Sequence, residues 1–195
     1  MKRTLDFLLA LILLLPALAV SAAFAAVIRI ESPGSPFFRQ TRVGRDGRPF
    51  ALYKLRSMYS GTASVASHHV GENRITRAGR IIRRFKIDEL PQVINVLLGD
   101  MSFVGPRPSL ANQHELIAER TVCGVLALRP GITGPAQLAG IDMSTPRELA
   151  IADAAYLGAW SLRRDLTILA GTVVKGRGDA ARRSTAAPGP DGSTE

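Results

Sequence analysis

Two adjacent carboxylates, Asp88 and Glu89, are the residues of this sequence best suited to chemistry, because they follow a run of cations. The cations just before this acidic pair are Arg77, Arg80, Arg83 and Arg84. Neighbouring carboxylates in a basic setting can hold a hard divalent cation, and the free N–H groups of a helix N-terminus attract phosphate. The simpler interpretation is an acidic helix cap followed by a second acid in the first turn.

Apolar periodicity predicts a helix on each side of the acidic pair, because apolar residues recur at i, i+3, i+4 and i+7. The matching residues are Ala78, Ile81, Ile82 and Phe85 in residues 75–85, and Leu90, Val93, Ile94 and Leu97 after the pair. Asp88 is placed to cap the second helix, Pro91 suits its first turn, and Gly99 suits its end. The positive charge near by should keep Asp88 ionised at neutral pH.

Arg107 is a further candidate, because it stands between Pro106 and Pro108. Proline restricts the backbone around it, and a guanidinium held in place can bind a phosphate through two parallel hydrogen bonds. The sequence therefore predicts a rigid cationic loop at residues 105–108. A second loop rich in glycine and proline follows at residues 129–134, and two helical segments lie within residues 149–174.

Residues 36–58 predict a short β-hairpin. Two arms with aromatic and aliphatic residues, 37–43 and 50–55, flank the turn signal Asp46-Gly47. Residues 176–195 are rich in Gly, Ala, Ser, Thr and Pro, a composition typical of a disordered tail. The segments between the β-hairpin and the tail have patterns typical of helices. The expected fold class is therefore α+β and mostly helical.

Composition narrows the classes of protein. The chain has 195 residues, 46% hydrophobic and 21% charged, which suits one globular domain with an appendage. The single cysteine, Cys123, excludes an internal disulfide framework. The net charge is +9, and residues 29–86 hold 13 of the 25 basic residues against three acidic ones. Such a chain should bind anions, whether phosphates, nucleic acid or an acidic membrane surface.

An uncharged apolar segment occupies residues 7–28. As one helix it would be about 33 Å long, enough to span a bilayer. Three interpretations compete: a cleaved signal peptide with an Ala23-Phe24-Ala25 site, a spanning helix, and a re-entrant hairpin that leaves by the face it entered. Pro16 lies near the middle and should kink the helix, which leaves two arms of about ten residues. Basic residues on both flanks favour two cytoplasmic ends, and so the hairpin.

In these segments the chain resembles the bacterial sugar transferases, small monotopic phosphoglycosyl transferases that act on polyprenyl phosphate. The resemblance covers roughly residues 2–180. Its most specific motifs are Ile-Asp-Glu-Leu-Pro-Gln at 87–92 and Gly-Asp-Met-Ser-Phe-Val-Gly-Pro-Arg-Pro at 99–108. Weaker motifs are Tyr-Lys-Leu-Arg-Ser-Met at 53–58, Arg-Ile-Thr-Arg-Ala-Gly at 74–79 and Arg-Pro-Gly-Ile-Thr-Gly at 129–134.

The resemblance implies a domain organisation and a location. Residues 1–30 would form the re-entrant membrane hairpin. Residues 31–175 would form a cytoplasmic catalytic domain with a short β-hairpin and amphipathic interfacial helices, and residues 176–195 a disordered tail. The enzyme would lie on the cytoplasmic face of the bacterial inner membrane. Its partners would be the bilayer, a UDP-sugar donor and a polyprenyl phosphate acceptor, with no nucleic acid and with a homodimer as one option.

The resemblance also implies ping-pong chemistry. Asp88 would attack the β-phosphate of the donor, UMP would leave, and polyprenyl phosphate would take the phospho-sugar from the aspartyl intermediate. Glu89 would assist, either with Asp88 as a ligand of Mg²⁺ or as a base toward the lipid phosphate. Three residues match family positions expected to hold the substrate phosphates: Lys54, Arg83 and Arg107. Asp153 matches an acidic position of the family near the active site and is included with them.

Some positions depart from the family pattern, and two other functions stay open from the residues alone. The departures are Leu15 for serine, Phe85-Lys86 for a small polar pair, Pro135 for tryptophan and Ala139 for asparagine, which puts the hairpin bend and substrate contacts in question. The first alternative is a basic nucleic-acid-binding protein, against which stand the few aromatic residues in the basic zone. The second is an inactive scaffold of the same family, against which stands the intact acidic pair.

Overall fold

The structure is a computed structural model that describes residues 1–59, 61, 74–158 and 160–185, with side chains up to residue 174. The helices are α1 (Lys2–Glu31), α2 (Arg77–Arg84), α3 (Gln92–Leu98), α4 (His114–Val122), α5 (Pro135–Ala139), α6 (Pro146–Ala154) and α7 (Leu162–Thr185). The strands are β1 (Phe37–Val43), β2 (Pro49–Leu55), β3 (Ser102–Val104) and β4 (Gly131–Thr133). The predicted class, α+β and mostly helical, is confirmed.

Helix α1 takes up the whole apolar segment, and its helical conformation continues through Pro16. The helix is therefore not interrupted at this proline, and the kink expected there stays a prediction. One proline removes a single hydrogen bond, which a long helix tolerates when its neighbours hold it. By length and composition α1 could cross a membrane. One side of it is nevertheless packed against the domain, through Asp6, Ala10, Ala17, Ser21 and Ile28.

The predicted β-hairpin is confirmed. Strands β1 and β2 pair antiparallel from Phe37 opposite Leu55 to Val43 opposite Pro49. The connection is a short 3₁₀ turn, Arg45–Gly47, in which Asp46 has φ 57° and Gly47 has φ 73°. Aspartate tolerates this left-handed region and glycine favours it, so the Asp-Gly signal marks the turn for a physical reason.

The acidic pair lies in a 3₁₀ turn, Ile87–Glu89, between α2 and α3. Helix α3 begins only at Gln92 with no side-chain cap, so the prediction that Asp88 caps this helix is wrong. Backbone bonds close the turn instead, from the N–H of Glu89 to the carbonyl of Lys86 and from Leu90 to Ile87, each 3.1 Å long. Both acidic side chains are therefore free of a capping role.

The second half of the chain contains a feature that sequence patterns do not indicate. Strands β3 and β4 pair in parallel, with Ser102 opposite Gly131 and Val104 opposite Thr133. Their backbones approach so closely that a Cβ on Gly131 would lie 2.1 Å from the amide nitrogen of Gly105. This pairing fixes the start of the loop that carries Arg107.

The C-terminal helix and the predicted tail overlap. Helix α7 reaches Thr185, so it passes the boundary at residue 176 where the sequence predicts disorder to begin. Residues 186–195 of that tail lie outside the described residues. The division at residues 30 and 175 stays a prediction.

The main core joins α1 to the hairpin, to α3 and to the β3 region. Its buried members are Ala10, Ala17, Leu52, Val93, Val96, Met101, Phe103, Val104, Tyr156 and Ile168. A second cluster, made of Ile28, Leu55, Ala78 and Ile82, joins the C-terminal end of α1 to β2 and α2. The apolar segment thus contributes to the packing of the domain along its whole length.

Asn95 secures the outer edge of β2 within this core. Its side chain is fully buried, accepts the N–H of Tyr53 at 3.1 Å and donates to the carbonyl of Ala51 at 2.7 Å. An unpaired strand edge leaves backbone groups without partners, and here one amide side chain supplies both partners. The edge residues that it holds are the ones just before Lys54.

We expect Asn95→Ala to lower the free energy of unfolding by about 2–4 kcal/mol, because two buried backbone groups lose their partners. Denaturant unfolding of the detergent-solubilised protein measures the change. Asn112→Ala is the matched control, since Asn112 is exposed and its loss should alter stability by less than about 0.5 kcal/mol. Equal unfolding midpoints for the two variants would contradict the assignment.

Candidate active site

Three elements, β2, the turn before α3 and the loop after β3, bring predicted site residues together around Glu89. Lys54 Nζ, from β2, lies 3.0 Å from Glu89 Oε1 and 3.9 Å from Asp88 Oδ2. Arg107 Nη2, from the loop after β3, lies 3.3 Å from the same Glu89 oxygen. The Arg107 side chain is 41% exposed whereas that of Glu89 is 13% exposed, so Arg107 retains a surface to which an anion could bind.

The acidic pair is asymmetric in its electrostatics. Burial alone would raise the pKa of Glu89, but the charges of Lys54 and Arg107 outweigh it and lower this pKa to about 2. Burial and the charge of Glu89 raise the pKa of Asp88, against the opposing charge of Lys54. Nearby positive charge acts to lower the pKa of Asp88, but burial has the larger effect. The expectation that Asp88 is ionised at neutral pH stays a prediction. Glu89 is the stabilised anion, and Asp88 is the more basic carboxylate.

Arg83 and Asp153 occupy different surroundings from Lys54 and Arg107. Arg83 lies in the last turn of α2, and its charge acts on Asp88 by lowering the pKa of that carboxylate. Asp153 is not in contact with the acidic pair. Its carboxylate lies 2.6 Å from Arg120 Nη2, and both side chains are almost fully buried. Asp153 therefore belongs behind the loop of Arg107, to whose carbonyl Arg120 also donates at 2.8 Å.

Sequence patterns missed Arg42, which the fold places beside this group. Burial first and the charge of Arg107 second lower the pKa of Arg42 to about 10, while Glu89 opposes them. The hairpin register contained a signal for it. Phe38 is opposite Lys54, and residue 42 is four positions further along β1, so Arg42 and Lys54 share one face of the hairpin.

A cavity of about 780 Å³ adjoins the acidic pair. Its walls are mainly apolar side chains of α1, α3 and α7, and its polar end is formed by Arg84, Lys86 and Glu89. Pro16 lies in the α1 wall, so the cavity connects the middle of the apolar segment with the site. An elongated apolar molecule with an anionic end fits this combination of surfaces.

The acidic pair offers carboxylate oxygens, which hard divalent cations prefer. Among the described residues there is no group of three or more His, Cys, Asp or Glu side chains that could hold a metal ion alone. Mg²⁺ commonly binds through one or two carboxylates completed by substrate phosphates and water. Asp88 and Glu89 therefore fit a magnesium ion that arrives with a phosphorylated substrate.

Comparison with known proteins identifies the family of the chain. The bacterial sugar transferase family matches residues 1–177. The chain is 44% identical over 183 residues to the UDP-glucose:undecaprenyl-phosphate glucose-1-phosphate transferase of Caulobacter vibrioides, which covers 88% of this chain and 68% of that relative. It is 39% identical over 175 residues to the sugar transferase EpsL of Bacillus subtilis, covering 90% and 86%.

A third relative is a UDP-glucose:undecaprenyl-phosphate glucose-1-phosphate transferase of Escherichia coli, 38% identical over 185 residues, which cover 90% of this chain and 40% of the relative. The chain belongs to the bacterial sugar transferase family. It is therefore an enzyme of the phosphoglycosyl transferase class, and the family and enzyme class predicted from the sequence are confirmed.

The asymmetry of the acidic pair predicts opposite shifts in the titration of Asp88. Lys54→Met should raise the pKa of Asp88, because a cation that favours the charged carboxylate is lost. Glu89→Gln should lower it, because a repelling anion is lost. Carbon-13 NMR titration of labelled aspartate carboxyl groups measures both shifts.

Arg45→Met is the control for this titration, since Arg45 is an exposed cation that pairs with Asp46 in the hairpin turn. It should leave the titration of Asp88 unchanged. Shifts of the same sign in Lys54→Met and Glu89→Gln would refute the electrostatic account of the pair.

Proposed function

We propose that the chain transfers a sugar-1-phosphate from a UDP-sugar to polyprenyl phosphate, with release of UMP, as a membrane step of exopolysaccharide or other glycoconjugate synthesis. One observation carries the proposal: Glu89 contacts Lys54 and Arg107 and also lines the apolar cavity that reaches Pro16. A reaction between a nucleotide and a lipid phosphate needs cations and an apolar channel at one place. The names of two relatives, which include UDP-glucose and undecaprenyl phosphate, support both substrate classes.

Asp88 is the nucleophile in this proposal, and its contacts favour it over Glu89. An oxygen of Glu89 is engaged by both Lys54 and Arg107, which stabilises its negative charge and reduces its nucleophilicity. The nearest cation of Asp88, Lys54, lies 3.9 Å away, and burial raises the pKa of Asp88. The more basic and less engaged carboxylate is the better nucleophile.

The reaction then proceeds in two balanced steps. In the first, an Asp88 oxygen forms a bond to the β-phosphorus of the donor while the bond from that phosphorus to the oxygen of UMP breaks. In the second, an oxygen of polyprenyl phosphate forms a bond to the same phosphorus and the Asp88 bond breaks. The product is a polyprenyl diphosphate sugar, and Asp88 returns to its carboxylate form.

The cations counter the negative charge that accumulates during both steps. Lys54 and Arg107 keep Glu89 ionised and present their remaining donors to the phosphates, and Arg83 adds positive charge near Asp88. Asp88 and Glu89 would hold magnesium when it is bound, and the ion would neutralise part of the diphosphate charge. Asp153 acts behind the site through Arg120, rather than on a phosphate.

The polyprenyl chain is proposed to occupy the apolar cavity between α1, α3 and α7. The walls of this cavity include Leu13, Pro16 and Val20 of α1, together with Leu169 and Val173 of α7. With the chain in this position, the lipid phosphate would lie at the polar end of the cavity near Glu89. This location suits Glu89 as the group that receives or orients the acceptor.

The same proposal includes a re-entrant topology with both ends of α1 on the cytoplasmic face. At the N-terminal end, Lys2 Nζ donates to Asp165 at 2.7 Å and Asp6 accepts the N–H of Phe103 at 3.2 Å. At the other end, Glu31 accepts the N–H groups of Arg77 and Ala78 at 2.6 and 2.8 Å. A helix that crossed the bilayer could not have both ends bound to one polar domain.

Exposed apolar side chains of the domain support a position of the enzyme at the membrane interface. They are Ile81, Phe85, Leu98, Leu162, Leu166 and Val173. Contiguous exposed apolar surface commonly marks membrane or partner contact.

A homodimer is part of the proposal only as an option, to be tested by light scattering of the detergent-solubilised protein. Nucleic-acid binding, the earlier alternative, is replaced by the family assignment.

The topology predicts that both ends of α1 are closed to reagents outside the cell. In a Cys123→Ser background, Thr4→Cys and Ser35→Cys should each resist a membrane-impermeant maleimide in spheroplasts and react in inverted vesicles. Cys123 of the parent protein serves as the domain reference. Labelling of Thr4→Cys from outside, or a mature chain that begins near Ala26, would overturn the topology.

If Asp88 is the nucleophile, a covalent intermediate should accumulate when the acceptor is absent. Protein quenched with Mg²⁺ and donor but no polyprenyl phosphate should carry a phospho-sugar on the peptide that contains Asp88, detected by mass spectrometry. Asp88→Asn should remove the adduct and lower UMP release by about a thousandfold or more, because the anionic nucleophile is lost. A panel of UDP-sugars in the same assay identifies the donor.

Two controls sharpen the interpretation. Glu89→Gln should retain a trace of adduct if Glu89 acts mainly on the acceptor, and Glu115→Gln, an exposed change in α4, should behave as the parent. If UMP appears only when both substrates are present and no adduct can be trapped, transfer is direct and Asp88 is not a nucleophile.

A further inference from the structure

The loop after β3 has four consecutive carbonyl groups, at residues 106–109, that all accept hydrogen bonds from the rest of the domain. The donors are the Gly131 N–H to Pro106 at 2.8 Å, Arg120 Nη1 to Arg107 at 2.8 Å, Arg42 Nη1 to Pro108 at 3.2 Å and the Val43 N–H to Ser109 at 2.9 Å. Surface loops usually leave several carbonyls to water. Here the backbone of Arg107 is fixed from both sides, and two of the four donors are arginine side chains.

The two arginine donors differ in how their charge is balanced. Arg120 is almost fully buried and forms an ion pair with Asp153 at 2.6 Å, so the pair as a whole is neutral. Arg42 makes its hydrogen bonds to neutral acceptors, the Pro108 carbonyl and Gln40 Oε1, the latter at 2.6 and 3.0 Å. Arg42 thus keeps a net positive charge next to the loop.

The surroundings of Arg42 connect it to Arg107. Both guanidinium groups interact electrostatically with each other and with Glu89. Gln40, two positions earlier on β1, fixes the Arg42 fork through both Nε and Nη2 and leaves Nη1 directed to the loop. Holding the Arg42 cation firmly beside the Arg107 cation costs free energy. An anion bound at Arg107 would offset this cost.

We propose that Arg42 is a positioning residue of the phosphate site, which acts through the Pro108 carbonyl to keep the Arg107 guanidinium in place for a diphosphate. This inference rests on the proposed function, because the diphosphate is that of the UDP-sugar. Arg42 orients Arg107 from the hairpin side, as the Arg120–Asp153 pair does from the opposite side. The hairpin thereby supplies two groups to the site, Lys54 directly and Arg42 through the loop.

Substitution of Arg42 measures the effect. Arg42→Gln should lower kcat/KM for the UDP-sugar about ten- to a hundredfold, the range expected for one hydrogen bond to a charged group. Arg42→Lys keeps the charge but loses the fork, and should fall between the parent and Arg42→Gln. Arg39→Gln is the matched control, because Arg39 is exposed on the other face of the same strand. It should match the parent.

A double-mutant cycle separates positioning from a general effect on the fold. If Arg42 acts through Arg107, its substitution should cost at most about twofold more once Arg107→Ala is present. An equal factor in both backgrounds, or a kcat/KM of Arg42→Gln equal to that of Arg39→Gln, overturns the proposal. If Arg42→Gln fails to fold, as judged by its unfolding midpoint, Arg42→Lys carries the same cycle.

Binding of inorganic pyrophosphate, measured by calorimetry without donor or acceptor, tests the inference apart from the reaction. The parent and Arg39→Gln should bind pyrophosphate, and Arg42→Gln should bind it about tenfold or more weakly. No binding by the parent, or equal binding by the two variants, overturns the inference. A clear difference in pyrophosphate binding without any UMP release would instead count against the proposed function alone.

Discussion

The contact of Glu89 with Lys54 and Arg107 is the interaction on which the site depends. One carboxylate joins β2, the turn before α3 and the loop after β3, which are far apart in the sequence. Burial of the charged Glu89 side chain is tolerated because two cations compensate its charge. Each of these cations is positioned by a different element of the fold. Asn95 secures the strand of Lys54, and the bonded carbonyls secure the loop of Arg107.

This arrangement gives two adjacent carboxylates different chemistry. Glu89 is kept ionised and engaged, whereas Asp88 is buried with weaker compensation and is the more basic of the two. The turn that presents them begins at Lys86, a non-glycine residue with φ 55°. Left-handed backbone at such a residue stores a small strain, and the tight turn prevents both side chains from serving as helix caps. In the proposed mechanism, Asp88 is the nucleophile and Glu89 is the charge that organises the cations.

Helix α1 is an integral part of the domain. Its small residues Ala10 and Ala17 lie in the main core, Ile28 lies in the second cluster, and its remaining faces expose apolar side chains. Asp6 accepts a hydrogen bond from the backbone N–H of Phe103, which lies just before the loop that carries Arg107. Helix α1 and the loop of Arg107 are therefore parts of one packed unit. Displacement of α1 would disturb the cavity and the loop together.

The sequence was enough to predict the family, the enzyme class, the hairpin with its Asp-Gly turn, the α2 helix and the end of α3 at Gly99, because these depend on local backbone preference and distinctive motifs. It also pointed to the acidic pair, Lys54 and Arg107. The folded structure was needed to show that α3 begins after the pair, that β3 pairs with β4, and that Arg42 lies beside Arg107. It likewise showed that Asp153 pairs with Arg120, and that burial outweighs positive charge at Asp88. These features depend on burial and on contacts between distant segments, and neither can be read from the spacing of residues along a chain.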